Sequence, residues 1–273
     1  MAERRDWLGL KLVTAYNHLD VIRREHTALI ESDECGVIND LNAAEGYLSV
    51  NVYCRRPPSP EWSVHAGEAL YQFRSTLDHL ACLLAEKNGQ IIDDITEFPI
   101  FLRREAYWNV DGTLKTGVRR RIGKLSLEDQ AAIEREQPFN RRDGSPEDDP
   151  LWLLYRLSNY DRHQAFHLVE LAVSTGYNEF SPAWFSRYIT PVWSRFGPFE
   201  GEAEVAKFSI AYDGTEVEVE VEVNSHVTFE IAFGQPGPAA GLPVISTLRD
   251  IGLRVVEIIG RLTGITLPTG ASL

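Results

Sequence analysis

Between Trp62 and Lys87 apolar residues recur with a helical period. Leu70, Phe73, Leu77, Leu80 and Leu84 stand three or four residues apart, the spacing that lines one face of an α-helix. Pro57, Pro58 and Pro60 precede the run and Asn88-Gly89 follows it, start and stop signals that set the helix limits. A helix this long with one apolar stripe cannot bury that stripe alone, so the fold must bring a second layer against it. Its other side carries His65, Glu68, Gln72, Ser75 or Thr76, and His79.

The flanking chain supplies candidates for that layer. Residues 3–32 read as a long helix, with Trp7, Leu10, Val13 or Thr14, Asn17, Val21, Thr27 and Leu29 as its periodic face and Asp33-Glu34-Cys35-Gly36 as its end. Tyr47–Cys54 alternates and is rich in β-branched and aromatic residues, a strand. Thr96–Phe101 is extended because Pro99 disfavours helix before it. Short helices are expected at Arg103–Trp108 and Thr113–Ile122, and a better one from Ser126 to Gln137, with Ser126 as its cap. Asn140–Asp149 reads as a polar loop, and Pro150–Tyr155 opens a helix that is apolar nearly all round and hence buried.

Beyond it the pattern changes. Phe166–Ser174 reads as a strand, as do Ala203–Tyr212, the Val/Glu alternation of Glu216–Val223 and Val227–Phe233, the last two as partners, with Asp213-Gly214 as a hairpin turn. Strict alternation predicts a sheet with one buried and one solvated face, its glutamates on the solvated side. Aromatic residues from Tyr177 to Phe199 read as packing residues. Residues 244–263 form a last amphipathic helix after the Pro/Gly-rich stretch Gln235–Pro243. The expected class is α+β: a helical N-terminal body of long antiparallel helices, an antiparallel β-sheet and a closing C-terminal helix. We take 1–273 as a single composite domain, with 1–165 mainly helical around one strand at 47–54, 166–242 mainly β and 243–264 the C-terminal helix. The early strand is expected to join the later sheet.

Charge narrows the partners. A net charge of −13 argues against a DNA-coating role or an anionic membrane surface. Arginines bunch in the first two-thirds of the chain, so a local basic groove fits on an acidic molecule. Cys35, Cys54 and Cys82 are scattered and odd in number, which speaks against a disulfide frame or zinc knuckle and for a reducing, cytoplasmic setting. No apolar run is long enough to span a bilayer. No cofactor is expected, since there is no glycine-rich dinucleotide fingerprint, P-loop or serine elbow.

Chemistry concentrates in two polar knots. Arg74-Ser-Thr-Leu-Asp-His79 combines a guanidinium able to hold charge growing on a phosphate with an imidazole able to move a hydroxyl proton. Arg74 and Asp78 are also an i,i+4 pair that a plain intrahelical salt bridge explains. Asn159-Tyr-Asp-Arg-His163 follows a helix read as buried, where polar groups must be paired or used.

The Arg-x4-His spacing resembles the signature of the HEPN superfamily, many of whose members are ribonucleases of toxin–antitoxin and phage-defence systems and commonly act as dimers. That resemblance implies a metal-independent ribonuclease or RNA-binding protein, RNA as partner and a homodimer. Arg74 would stabilise phosphate and His79 would act as acid/base, with Asp78 and His163 beside them and Glu68, Asn159, Asp161 and Arg162 in support. Ser75 stands where HEPN motifs often carry another polar residue, and the same spacing recurs at Arg156/His163 and Arg162/His167. A wider stretch, Phe73–Leu80, Phe98-Pro-Ile100, Gln137-Pro-Phe139, Pro150-Leu151 and Asn159-x-Asp161-Arg-His163, resembles in order a bacterial family of uncharacterised proteins, with Arg162 and Gln164 in place of that family's lysine and arginine. Two other readings compete. In one, the Arg74/Asp78/His79 and Asn159–His163 residues form a buried polar network in a non-enzymatic structural or interaction protein. In the other, Asp161, His163 and His167 hold a metal for hydrolysis, the two histidines one helical turn apart.

Overall fold

Two long helices joined by a β-hairpin frame the computed structural model, which describes residues 2–42, 45–141, 143–181, 183–211 and 222–267. Helix α1 (Ala2–Glu31) and helix α2 (Pro60–Lys87) flank strands β1 (Cys35–Asn42) and β2 (Tyr47–Cys54). Ser59 caps α2 by accepting from the Glu61 N–H, and Pro60 takes the first helical position, where no N–H is needed. Gly89, at φ +70°, follows the helix end in the left-handed conformation that glycine tolerates. Lys11 meets Gln72, His18 meets His65 and Glu25 meets Trp62. The descending order makes the helices antiparallel.

The buried face of α1 is Leu8, Leu12, Ala15, Leu19, Ile22 and Leu29, a spacing of alternating threes and fours that forms a straight seam. Trp7, Leu10, Val13, Asn17 and Thr27 are exposed, so apart from Leu29 the face expected to pack is not the one that does. Two helical stripes coexist in this segment, and only a partner can choose between them. The helix ends at Glu31, one residue short of the expected limit, but Gly36 is not what ends it. Asp33 takes the left-handed turn at φ 59°, and Cys35-Gly36 already belongs to β1, a strand the pattern did not announce.

Five further α-helices follow among the described residues: α3 (Arg104–Tyr107), α4 (Thr116–Ile122), α5 (Leu127–Arg135), α6 (Pro150–Asp161) and α7 (Val244–Thr263). Helix α6 is not apolar all round. Leu151, Leu154 and Leu157 are buried, while Tyr155 and Arg156 face solvent.

The strands make two antiparallel sheets rather than one. Strands β1, β2, β6 (Glu202–Ile210) and β4 (Ile189–Ser194) form the first; β5 (Pro198–Phe199), β3 (Leu168–Ser181) and β7 (Glu222–Phe233) form the second. The early strand β2 does join the later β6, from Tyr47 opposite Ser209 to Tyr53 opposite Glu202. Strand β7 is continuous through Val223 and Val227, so those residues are not on partnered strands, and β7 pairs with β3. Alternation alone cannot tell one long strand from two. The expected Asp213-Gly214 turn and residues 216–221 lie outside the described residues. Asn39 of β1 links the sheets, donating to the Val223 carbonyl and accepting from Ser225 Oγ, each at 2.7 Å.

Helix α7 closes the core over α1 and α2. Val244, Leu248, Ile251, Val255, Ile258 and Ile259 are buried in one cluster with Leu12, Phe73 and Leu154. A Cβ on Gly252 would lie 2.7 Å from the Tyr16 hydroxyl and 2.8 Å from Phe73 Cζ. Alanine would gain about 1 kcal/mol of helix propensity. Forcing apart two packed aromatic rings costs about 1–3 kcal/mol. We therefore expect Gly252→Ala to lower the thermal midpoint by about 3 °C. A midpoint equal to or above wild type in a calorimetric scan would show that the rings move aside.

Candidate functional site

The first polar knot grips backbone. Arg74 Nη2 donates to the Phe98 carbonyl at 2.7 Å and lies 3.0 Å from Asp78 Oδ1, which in turn accepts from the Phe98 N–H at 3.0 Å. One i,i+4 pair on α2 thus satisfies both main-chain groups of a residue in a buried, extended segment that pairs with no strand among the described residues. Gln137 does the same from the far side. Its amide nitrogen donates to the Pro99 carbonyl at 2.8 Å and its amide oxygen accepts from the Phe101 N–H at 3.0 Å. Gln137 is 1% exposed, so no water competes for these bonds. Buried backbone must be paired somewhere, and here three side chains take the place of a neighbouring strand. Glu97 extends the network to Arg121 and lies 4.0 Å from Arg74.

This geometry joins Arg74, Asp78, Phe98-Pro-Ile100 and Gln137 in one network. It also engages one end of the guanidinium: Arg74 is largely buried, its Nη2 held by a carbonyl and a carboxylate, while its Nη1 has no hydrogen-bond partner among the described residues. His79 follows on the same helix, half-buried.

The second knot divides. Asp161, the last residue of α6, lies against Gly67 of α2, so closely that a Cβ on Gly67 would stand 2.6 Å from its Oδ1. Burial raises the Asp161 carboxyl above its ordinary range, and the charge of Glu68 adds to the rise. Glu68 also acts on His18, whose Nδ1 is 2.9 Å from Nδ1 of His65. Burial and then His65 push the His18 imidazole down, with Glu68 opposing. Asp161 therefore joins a histidine–carboxylate seam between α1, α2 and α6. Arg162 caps α6 at its exposed end and is close enough for its charge to act on Asp78.

Asn159, two residues before Asp161, is turned about 200° away on the helix. It lines a groove of about 560 Å³ with Trp152, Tyr155, Arg156, Tyr160 and Pro238. A pocket of about 290 Å³ continues from it, shares Trp152 and Tyr155, and adds Phe101, Leu102 and Arg103. Trp152 and Tyr155 stack at 5.0 Å. His163 is exposed beyond the helix, in the turn where its N–H donates to the Tyr160 carbonyl. His167 lies in extended chain, with Nδ1 3.1 Å from the Gln235 carbonyl and Nε2 3.5 Å from Glu200. Because α6 ends at Asp161, His163 and His167 do not share a helical turn, and the reading of a metal held by Asp161, His163 and His167 loses its geometry.

Sequence reasoning missed three features. Gln137 was visible only as part of a motif, without its role as a clamp. The aromatic groove joins α6 to residues some fifty positions earlier. Cys35 and Cys54 stand directly opposite each other in the β1–β2 register and are joined as a disulfide, contrary to the expectation of scattered thiols. That pairing follows from β1, which was not foreseen. Glu170 of β3 lies beside them, a carboxylate on a core-facing position.

No protein-family model, curated protein or solved structure matches the chain. Among the described residues, no helix is long and apolar enough to cross a membrane.

The clamp makes a pH prediction. Burial lifts the Asp78 carboxyl from its ordinary 3.8 to about 6, against the lowering by Arg74 and the Phe98 N–H. The folded chain therefore holds this proton more tightly than the unfolded chain. The stability that protonation contributes is complete below pH 3.8 and is lost as pH rises through about 6. Asp78→Asn cannot titrate, so the stability of the variant relative to wild type should rise between pH 4 and pH 7 in urea melts. A constant offset across that range would refute the assignment. Gln137→Ala, which strips partners from two buried backbone groups, should cost about 3 kcal/mol in the same melts; a loss under about 1 kcal/mol would mean the segment is held by other contacts.

Proposed function

We propose that this protein binds single-stranded RNA without cleaving it, using the aromatic groove along α6, while the Arg74/Asp78 pair serves the fold. The observation that carries the proposal is the contrast between two sets of arginines. Arg74 is enclosed and committed to Phe98 and Asp78. Arg103 and Arg156 are exposed, and the lining of the paired cavities includes no carboxylate.

Unstacked bases pack on aromatic faces, and nearby guanidiniums meet the phosphates that link them. Tyr155 offers an exposed ring backed by Trp152, and Asn159 offers an amide able to donate and accept at a base edge. The larger cleft between α5, α6 and α7, about 670 Å³, suits a polyanion less well. Five carboxylates and four arginines line it, and Glu136 already takes Arg254 and Arg261 at 2.9 and 3.0 Å. A ribonuclease acting through Arg74 and His79 would need the largely buried guanidinium opened to solvent to meet a phosphate.

The test is fluorescence anisotropy with a short labelled single-stranded RNA, followed by a gel of the same RNA. We expect binding that weakens with added salt, a loss of about ten-fold in affinity for Tyr155→Ala, no change for His79→Ala, and intact RNA throughout. Undiminished binding by Tyr155→Ala and Arg156→Gln would remove the groove from consideration. RNA cut by the wild type and spared by His79→Ala would restore the ribonuclease reading.

A further inference from the structure

Four chemically reactive side chains from four separate elements converge in the core, away from the clamp and the groove. Cys35 begins β1, Cys54 ends β2 directly opposite it, and Glu170 stands on β3. One sulfur from each cysteine and one carboxylate oxygen lie within 4.8 Å of one another, and all three residues are buried. His26, on the last part of α1, is the fourth: its Nε2 is 3.1 Å from Glu170 Oε2.

Glu170 is the unusual member. It is 2% exposed and shares one face of β3 with Leu168 and Ala172, both in the main core. Across the sheet it stands opposite Phe199 and Ile231. His26 serves one of its oxygens. The other, Oε1, has no hydrogen-bond partner among the described residues. A carboxylate oxygen sealed from water without a donor is strongly disfavoured unless a cation or proton meets it. The packing could have used leucine here at far lower cost, so the acid points to something it holds.

We propose that Cys35, Cys54 and Glu170 form a binding site for a thiophilic divalent cation of the zinc class when the Cys35–Cys54 pair is reduced. In the structure the two sulfurs are joined. A thiol reductant opens the site: two reductant thiols deliver two electrons and two protons, the S–S bond breaks, two cysteine thiols form, and the reductant leaves as its own disulfide. The cation then displaces the two thiol protons to solvent and is held by two thiolates and Glu170 Oε1, three donors of the kinds zinc accepts, with a water it brings along in the fourth position of the tetrahedron. His26 stays on Oε2 and orients the carboxylate, as outer hydrogen-bond partners do for metal ligands. The site thus exchanges one cross-link between β1 and β2 for another that also includes β3. It is independent of the RNA reading.

The test uses the full chain, reduced with dithiothreitol and exchanged without oxygen into buffer free of reductant. Titratable thiols of the native protein should rise from one, Cys82, to all three cysteines of the chain. Cobalt(II) should then produce a near-ultraviolet thiolate-to-metal band that saturates at about one equivalent and is displaced by zinc(II). Cys54→Ser should abolish the band, and Glu170→Gln, which keeps both thiols and the shape of the side chain, should weaken cobalt binding at least about ten-fold. Cys82→Ser, on α2 with its sulfur against the Thr96 carbonyl, should leave it unchanged. A thiol count that stays at one under reductant would make the pair a permanent structural disulfide and overturn the proposal. So would cobalt binding by the reduced wild type no tighter than by Cys35→Ser, or unaltered binding by Glu170→Gln.

Discussion

Burial of α2 on more than one side is the constraint on which the rest of the structure depends. Fourteen of its twenty-eight residues are buried, far more than one apolar stripe supplies. Phe73, Leu77 and Leu80 meet the helical layer, Trp62 meets Glu25 of α1, Ser63 holds the Phe166 carbonyl at the entry to β3, and Gly67 makes room for Asp161. A helix enclosed in this way cannot keep its polar residues in water. They must find partners inside the protein, and the polar chemistry near α2 follows from that demand.

Arg74 and Asp78 illustrate the demand. Spaced four apart, they suit an intrahelical salt bridge, and they make one. The same pair also closes the hydrogen bonds of Phe98, and Gln137 closes those of Pro99 and Phe101. An extended segment can cross a core without a neighbouring strand only if side chains replace the ladder. Residues that look catalytic in a list can therefore be fixed by backbone accounting. Glu170 differs in its surroundings: its buried Oε1 lacks a hydrogen-bond partner among the described residues and stands in a cluster with two cysteine sulfurs.

Much of the fold was legible in the chain. The limits of α2 and α7 and the strand Tyr47–Cys54 follow from periodicity and from proline, serine and glycine punctuation, which act over a few residues. The packing face of α1 was not legible, because Trp7, Leu10 and Val13 repeat with nearly the same period as Leu8, Leu12 and Ala15. Strand β1, Cys-Gly-Val-Ile-Asn-Asp-Leu-Asn, carries turn-forming residues within it and becomes a strand by pairing along its length with β2. Of the candidate site, the association of Arg74 and Asp78 was legible at helical spacing. The separation of Asn159 from Asp161 follows from helix geometry, but only the neighbours of α6 decide what each one faces.

By itself, then, the sequence determined the local elements and the α+β class, since helix and strand periods and turn residues act between near neighbours. It also determined the acidic balance and which side chains were available for chemistry. Tertiary structure alone decided which of them meet. Cys35, Cys54, Glu170 and His26 are separated by up to 144 positions and come together because two sheets and α1 close on one core. The sense of Arg74 was decided in the same way, by Phe98, twenty-four residues distant, whose buried carbonyl it satisfies.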